Sequence, residues 1–201
     1  MGNQQIRMPI QQRSIEKRNK IIDAGYQLFC EKGYHNTNTA EIASLAGVST
    51  GIVYNYFRDK KDIFLYVIET YEKSITAPIY DLIAKLEKPL DLPSTLKAGI
   101  MSLIRSHTMN KSVHEEMQAL SHTDDEISKL FCNYQSNIAS DIVRIMAEND
   151  LHPTNAYEKA HLIIDIIDNL SHEIVYHQHE YLNYDVMTDV AINAIVDMIT
   201  S

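Results

Sequence analysis

Apolar residues recur three or four positions apart along almost the whole chain, which is the spacing of an amphipathic α-helix rather than of a strand. The first such segment is Ser14–Lys32, in which Ile15, Ile22 and Phe29 fall on one face. Gly33 follows directly and is a typical helix stop, because glycine accepts the left-handed backbone found after many helix ends. The pattern predicts a first helix over 14–32.

Two short helices are predicted next, over Thr39–Leu45 and Thr50–Phe57. Thr37 or Thr39 is suited to cap the first and Ser49 the second, since side-chain oxygens there accept bonds from the first free N–H groups. A fourth helix is predicted from about Asp62 towards Ser74. The prolines at 78, 89, 93 and 153 punctuate the remainder, which is predicted to form helices near 79–88, 93–109, 111–121, 124–148, 155–178 and 185–200.

The spacing of small residues in the two short helices is typical of a helix-turn-helix. Ala43 is small enough for a close helix crossing, and Gly47 suits a turn with a left-handed backbone. Ile42, Val53 and Phe57 are then placed to fix the pair onto the first helix. An ordinary pair of bundle helices satisfies the same pattern, so the spacing leaves both interpretations open.

Sequence motifs over residues 15–65 resemble the DNA-binding domain of the tetracycline-repressor (TetR/AcrR) family. The matching runs are LFCEKGY at 28–34, TAEIA at 39–43 and AGVSTGIVYNYFRDKKDIF at 46–64. The resemblance implies an all-α, nine-helix fold with a three-helix head on a larger helical body. It implies a basic arm over 1–13, a DNA-binding domain over 14–61 and an effector-binding and dimerisation domain over 62–201. The implied function is a homodimeric repressor that leaves a palindromic operator when a small apolar or aromatic ligand binds.

Charge is distributed unevenly in a way that fits this function. The chain has a formal net charge of −9, yet residues 1–61 carry nine lysines and arginines against five acidic residues, and residues 62–201 carry nine against twenty-two. A basic end suits contact with phosphates; chance clustering of surface charge is the alternative. The sequence contains neither a secretory signal nor an apolar run that could span a membrane, so we expect a cytoplasmic protein.

The resemblance also assigns roles to individual residues of the head. Thr50, Gly51, Asn55 and Tyr56 are predicted to meet base edges in the major groove, and phosphates are predicted to be held by Thr37, Thr39, Ser49, Tyr54 and Lys60. Residues 49–57 contain no lysine or arginine, which favours readout by shape and methyl contact as well as hydrogen bonds. The basic residues around the start of the first helix either follow the DNA or form a solubilising tail; they are Arg7, Arg13, Lys17, Arg18 and Lys20.

Two sets of apolar positions in the body are candidates for ligand and partner contacts. The predicted effector pocket is lined by Met101, Ile104, Met117, Leu120, Phe131, Tyr134 and Ile138. The predicted dimer interface, between the last two helices and their copies, contains Ile163, Ile167, Leu170, Ile174, Ile192 and Ile195. Ordinary core packing is the alternative for both sets.

Other chemistry is not favoured by the sequence. The nine histidines include His177 and His179, which point apart on a helix because they are two residues apart, so we expect no metal site and no cofactor. Cys30 and Cys132 are expected to be reduced core thiols. Phosphate loops, nucleophile elbows and zinc-protease motifs are missing from the sequence, which argues against an enzyme. A helical interaction module that does not bind DNA remains a third possibility.

Overall fold

A computed structural model describes residues 10–83, 90–109 and 111–201, and within these ranges helices joined by turns and loops make up the chain, as predicted. Nine helices occur in the described residues: α1 (Ile10–Lys32), α2 (Thr39–Leu45), α3 (Thr50–Tyr54), α4 (Lys60–Ile83), α5 (Leu92–Met109), α6 (Lys111–Ser121), α7 (Asp125–Glu148), α8 (Ala156–Tyr176) and α9 (Tyr184–Thr200). None of them combines the length and hydropathy that a membrane span requires.

Several helix bounds differ from those predicted. The first helix already begins at Ile10, and α3 ends at Tyr54 rather than at Phe57. α4 continues through Pro78 to Ile83, so this proline lies inside a helix instead of separating two. Proline removes one helical hydrogen bond, a loss that the packing of a long helix can offset. Arg7 and residues 84–89 lie outside the described residues.

The chain divides into two compact units. The N-terminal unit comprises the residues up to Tyr71 together with Ser112–Met117, and the C-terminal unit comprises Glu72–Lys111 and Gln118–Ser201. The boundary therefore falls in the middle of α4, whereas the family resemblance implies one between residues 61 and 62, in the first turn of this helix. The reason is that the first three turns of α4 contribute core residues to the N-terminal unit.

The core of the N-terminal unit is built from aromatic and branched side chains of α1 to α4. Phe29, Ile42, Val53, Ile63 and Phe64 are completely buried. The rings of Phe29 and Phe64 meet edge to face, with their centroids 5.1 Å apart. This core fixes α2 and α3 against α1 and α4, which sets the direction of the helix-turn-helix.

A short part of α6 completes the same unit through two polar contacts. The hydroxyl of Tyr71 lies 2.7 Å from Nδ1 of His114, and both side chains are buried. The backbone N–H of Tyr34 donates to Oε1 of Glu116 at 3.1 Å. Neither contact follows from the periodicity of the sequence, since the partners lie 43 and 82 residues apart.

The C-terminal unit contains two apolar clusters formed by α5, α7, α8 and α9. One consists of Met146, Ile163, Ile195 and Ile199, and the other of Ile100, Leu170 and Ile192. Four of the predicted dimer-interface residues thus belong to the core of a single protomer: Ile163, Leu170, Ile192 and Ile195, with exposures of 2%, 3%, 4% and 0%. Little surface of these four is left for a partner to cover, and their contact with a second copy stays a prediction.

The two other predicted interface residues, Ile167 and Ile174, are half-buried and pack against the second cluster. The exposed apolar residues of α8 and α9 are instead Leu162, Val186 and Val190, with exposures of 52%, 56% and 63%. Burial in the protomer and exposure to a partner are alternatives that helical spacing alone does not separate.

The predicted effector residues do not form one buried set. Met101 is 44% exposed, whereas Ile104 packs against the cluster of Ile100, Leu170 and Ile192. Met117 is buried in the N-terminal unit. The four others are half-buried or exposed positions of the C-terminal unit: Leu120, Phe131, Tyr134 and Ile138.

Candidate nucleic-acid interface

α2 begins with a capping box centred on Asn38. The side-chain oxygen of Asn38 accepts hydrogen bonds from the backbone N–H groups of Ala40 and Glu41, both at 3.0 Å, and Glu41 accepts one from the backbone of Asn38 at 3.3 Å. Glu41 also pairs with Lys32 at 2.7 Å. The hydrogen bond from Lys32 lowers the pKa of the Glu41 carboxyl. Asn38 therefore caps α2, rather than Thr37 or Thr39.

Thr37 faces inward. It is 2% exposed, and its hydroxyl lies 2.9 Å from the carbonyl oxygen of Gly33 and 3.3 Å from that of Leu28. This burial leaves the Thr37 hydroxyl poorly placed for a phosphate, and the predicted contact stays a prediction. The Thr37 side chain fastens the turn between α1 and α2.

The turn between α2 and α3 depends on Gly47. This residue has a φ of +68°, in the left-handed region that favours glycine. The turn is closed by hydrogen bonds from Gly47 to Ser44 at 3.2 Å and from Val48 to Ala43 at 3.0 Å. Ser49 then caps α3, with its hydroxyl accepting from the backbone N–H of Ile52 at 3.4 Å.

One face of α3 is buried and the opposite face is open. Val53 is fully buried, as is Phe57 just beyond the helix. The exposed residues are Gly51, Tyr54 and Asn55, and Thr50, which lies one turn before Val53, is half-buried at the edge of the open face. A Cβ built on Gly51 meets nothing closer than the Ser49 hydroxyl at 3.9 Å. The four residues lie close together along this short helix and its C-cap, as a surface for a groove of DNA requires.

Thr39 and Tyr54 are joined across the two helices. Their hydroxyl oxygens lie 3.1 Å apart, which is hydrogen-bonding distance, and Tyr54 is 54% exposed. We refer to this pair as the hydroxyl clasp. It places two hydroxyl groups from α2 and α3 side by side at the surface.

The polar groups of Tyr56 and Lys60 already make contacts within the protein. The hydroxyl of Tyr56, a half-buried residue, accepts a hydrogen bond from Ser14 at 3.1 Å. The ammonium of Lys60 donates to the carbonyl of Tyr34 at 2.6 Å and lies 4.3 Å from the centre of the Tyr34 ring. Partial burial lowers the pKa of Lys60.

Several cations of the N-terminal unit are already paired. Arg18 stacks on the ring of Tyr66 at 4.0 Å, and Arg58 pairs with Asp62 at 3.1 Å. Three other basic side chains of α1 are exposed: Arg13, Lys17 and Lys20. These three extend along a helix, not a tail, because α1 starts at Ile10.

Comparison with known families identifies this domain. The family model described as bacterial regulatory proteins, tetR family, matches residues 21–67. The match covers the N-terminal part of the chain, about a quarter of its length. The chain is 43% identical over 77 residues to the HTH-type transcriptional regulator HbdR of Aromatoleum sp. (strain CIB), a match that covers 36% of the chain and 34% of HbdR.

A second relative is the HTH-type transcriptional regulator AcrR of Shigella flexneri, at 34% identity over 109 residues, 54% of this chain and 47% of AcrR. The chain thus spans less than half the length of these two relatives. The fold extends further: a TetR-family transcriptional regulator from Mesorhizobium loti MAFF303099 superposes with a TM-score of 0.73 over 92% of this chain and 97% of its own, at 20% identity. The N-terminal part of the chain is therefore similar to the helix-turn-helix part of HTH-type transcriptional regulators, and the likeness to the solved structure shows that the two chains share a fold.

Proposed function

We propose that this chain is a homodimeric repressor of the TetR/AcrR family that binds a palindromic operator and is released by a small apolar or aromatic ligand. The observation that carries the proposal is the open face of α3 and its C-cap, where Gly51, Tyr54 and Asn55 are exposed and Thr50 is half-buried at the edge. The capped start of the helix and the left-handed turn at Gly47 hold this face rigid.

Base readout is assigned to Thr50, Gly51 and Asn55. The exposed amide of Asn55 has both a donor and an acceptor, the combination that pairs with the major-groove edge of adenine. Gly51 permits close approach of the backbone, since a groove wall meets no side chain there. Tyr56 is a weaker candidate, because its hydroxyl is engaged by Ser14.

Phosphate contacts are assigned to the hydroxyl clasp, to Ser49 and to Lys60. Lys60 has three N–H donors, and its bonds to the carbonyls of Tyr34 and His35 account for two. The exposed cations of α1 add an electrostatic contribution that depends on salt.

Dimerisation is assigned to the outer face of α8 and α9. Leu162, Val186 and Val190 expose more than half of their side chains, and Val186 and Val190 lie one turn apart. An exposed apolar face of this kind favours a partner. Replacing Val190 with aspartate is expected to yield monomers in sedimentation velocity, whereas Val175→Asp, on the half-buried side of α8, is expected to unfold the protein instead. A V190D variant that remains dimeric would remove this face from the interface.

The operator can be identified by selecting bound duplexes from a random DNA library. The selection is expected to return an inverted repeat whose half-sites are separated by about one turn of DNA, roughly 34 Å. Asn55→Ala should then relax the preference at one base pair and weaken binding by about 1–3 kcal/mol. Asn133→Ala, the same change at an exposed position of α7, is the matched control and should bind like the wild type.

Salt dependence separates the phosphate contacts from the base contacts. Arg13→Ala and Lys17→Ala each remove one cation, and each should reduce the slope of log affinity against log salt by about 0.9 if that cation neutralises a phosphate. Selection that returns no preferred sequence, together with an unchanged affinity for N55A, would contradict the proposal.

Release from the operator is assigned to a ligand that acts through α4. α4 belongs to both units, so a ligand bound in the C-terminal unit has a continuous helix through which to act. The ligand must favour the DNA-incompetent state by about 1.4 kcal/mol for each tenfold loss of operator affinity. A thermal-shift screen of apolar and aromatic compounds, followed by operator release with each hit, tests this.

A further inference from the structure

Two histidines and one aspartate meet inside the C-terminal unit. His107 comes from the end of α5, and Asp168 and His172 lie one turn apart on α8. One ligand atom of each residue lies within 4.8 Å of the corresponding atom of the other two. His107 is 1% exposed, and the other two are half-buried.

The three side chains are arranged as potential ligands rather than as an ion pair. Nε2 of His107 lies 3.7 Å from Oδ1 of Asp168, well beyond the roughly 2.7–2.9 Å of a charge-assisted hydrogen bond. The rings of His107 and His172 are perpendicular, with their centroids 5.4 Å apart.

This set of donors suits a particular class of ion. Two imidazole nitrogens and one carboxylate are common ligands of Zn²⁺ and similar transition metals, and neutral imidazole is the form that binds. Bonds of about 2.0–2.1 Å in a tetrahedral site separate the ligand atoms by roughly 3.4 Å. The present separations need only small side-chain rotations to reach this value.

A bound cation would also offset an electrostatic cost. Asp168 is a half-buried carboxylate, whose side chain keeps 33% of its exposure. A divalent ion bound beside Asp168 would compensate the cost of withdrawing this negative charge from water.

We propose that His107, Asp168 and His172 form a binding site for a divalent transition-metal ion of the zinc class. The ion would join α5 to α8 through these three side chains. The site is independent of DNA binding, so it stands or falls separately from the proposed function. It replaces the sequence-based expectation that the chain has no metal site.

The test is a titration of the full-length metal-free protein with Co²⁺ and Zn²⁺ alone. One equivalent of Co²⁺ should give the visible absorption of a four-coordinate ion, and Zn²⁺ should displace it. Asp168→Asn and His172→Gln should each weaken binding at least tenfold. His161→Ala removes an exposed histidine from the same helix and is the matched control, which should retain full binding.

Stability measurements distinguish loss of the site from loss of the fold. Saturating Zn²⁺ should raise the melting temperature of the wild type and of H161A by about 5 °C or more, and should not change that of D168N. The metal-free D168N protein should melt no lower than the wild type, because the substitution removes a buried charge without changing the side-chain volume. Absence of one-equivalent binding in the wild type, or unaltered affinity in H172Q, would overturn the proposal.

Discussion

Replacing Gly25 with alanine tests the packing that directs the helix-turn-helix. Gly25 lies in α1 and is buried against α4, and a Cβ built on it comes within 2.7 Å of Cγ2 of Ile63, a contact that real structures almost never contain. Ile63 is fully buried, so it has little room to move. The helices must separate or Ile63 must leave its preferred rotamer.

Two opposing effects set the change in the free energy of unfolding that Gly25→Ala causes. Alanine in place of glycine favours a helix interior by about 1 kcal/mol. Overpacking of a close-packed core costs about 1–3 kcal/mol. The net loss is about 1 kcal/mol, which for a chain of this size lowers the melting temperature by roughly 2–4 °C.

Gly99 offers a matched control for the same chemical change. It lies in the middle of α5, and a Cβ built on it meets no atom within 4 Å. Gly99→Ala should therefore gain the helix propensity without the clash, and should raise the melting temperature by roughly 2–4 °C. Both variants are compared by calorimetry at one protein concentration, because the melting temperature of a dimer depends on the concentration of its protomers.

A double-mutant cycle isolates the contact itself. Ile63→Ala removes the atom that clashes, so the G25A substitution should cost less in the I63A background than in the wild type, by about 1 kcal/mol or more. Stabilisation by G25A as large as that by G99A, or additive effects in the double variant, would refute the close approach of α1 and α4.

Three further substitutions test features of the helix-turn-helix and the thiols. Asn38→Ala should lower the free energy of unfolding in urea by about 1 kcal/mol because the cap of α2 is lost, whereas Asn38→Asp should retain most of the stability. Equal losses of stability in the two variants would contradict the assignment of Asn38 as the cap. Gly47→Ala should cost about 1–2 kcal/mol, and Gly47→Asn less, because asparagine tolerates a positive φ better; a harmless G47A would contradict the left-handed turn. Cys132 should react with a thiol reagent before Cys30, since Cys132 is exposed and burial raises the pKa of Cys30; a fast phase that survives Cys132→Ser would reverse this order.

Local features of the fold were predictable because they depend on neighbouring residues. The bounds of α2, the end of α1 before Gly33 and the turn at Gly47 follow from helical spacing and glycine conformation. The cap of α2 was missed because Thr37, Asn38 and Thr39 are all able to cap, and the burial of Thr37 against Leu28 and Gly33 is not visible in the sequence.

Features that depend on distant residues were not predictable in the same way. Helical periodicity indicates that Ile163 and Ile195 lie on apolar faces, but not that these faces cover each other within one protomer. Cys132 was expected in the core but is exposed. Its apolar neighbours in the sequence do not show which face of α7 is covered. The spacing of Asp168 and His172 was a visible signal for a metal site, whereas the approach of His107 from α5 was not.

The hydroxyl clasp has a consequence for how the protein would sense the backbone of DNA. Thr39 and Tyr54 carry two hydroxyl protons between them, and their mutual bond uses one. The other is left at the surface, and a donor whose oxygen already accepts a bond is polarised into a stronger one. A phosphate oxygen that accepts this hydrogen bond would be held by a hydroxyl pair to which both α2 and α3 contribute. A change in the angle between the two helices would separate the hydroxyl groups and weaken the bond to that phosphate.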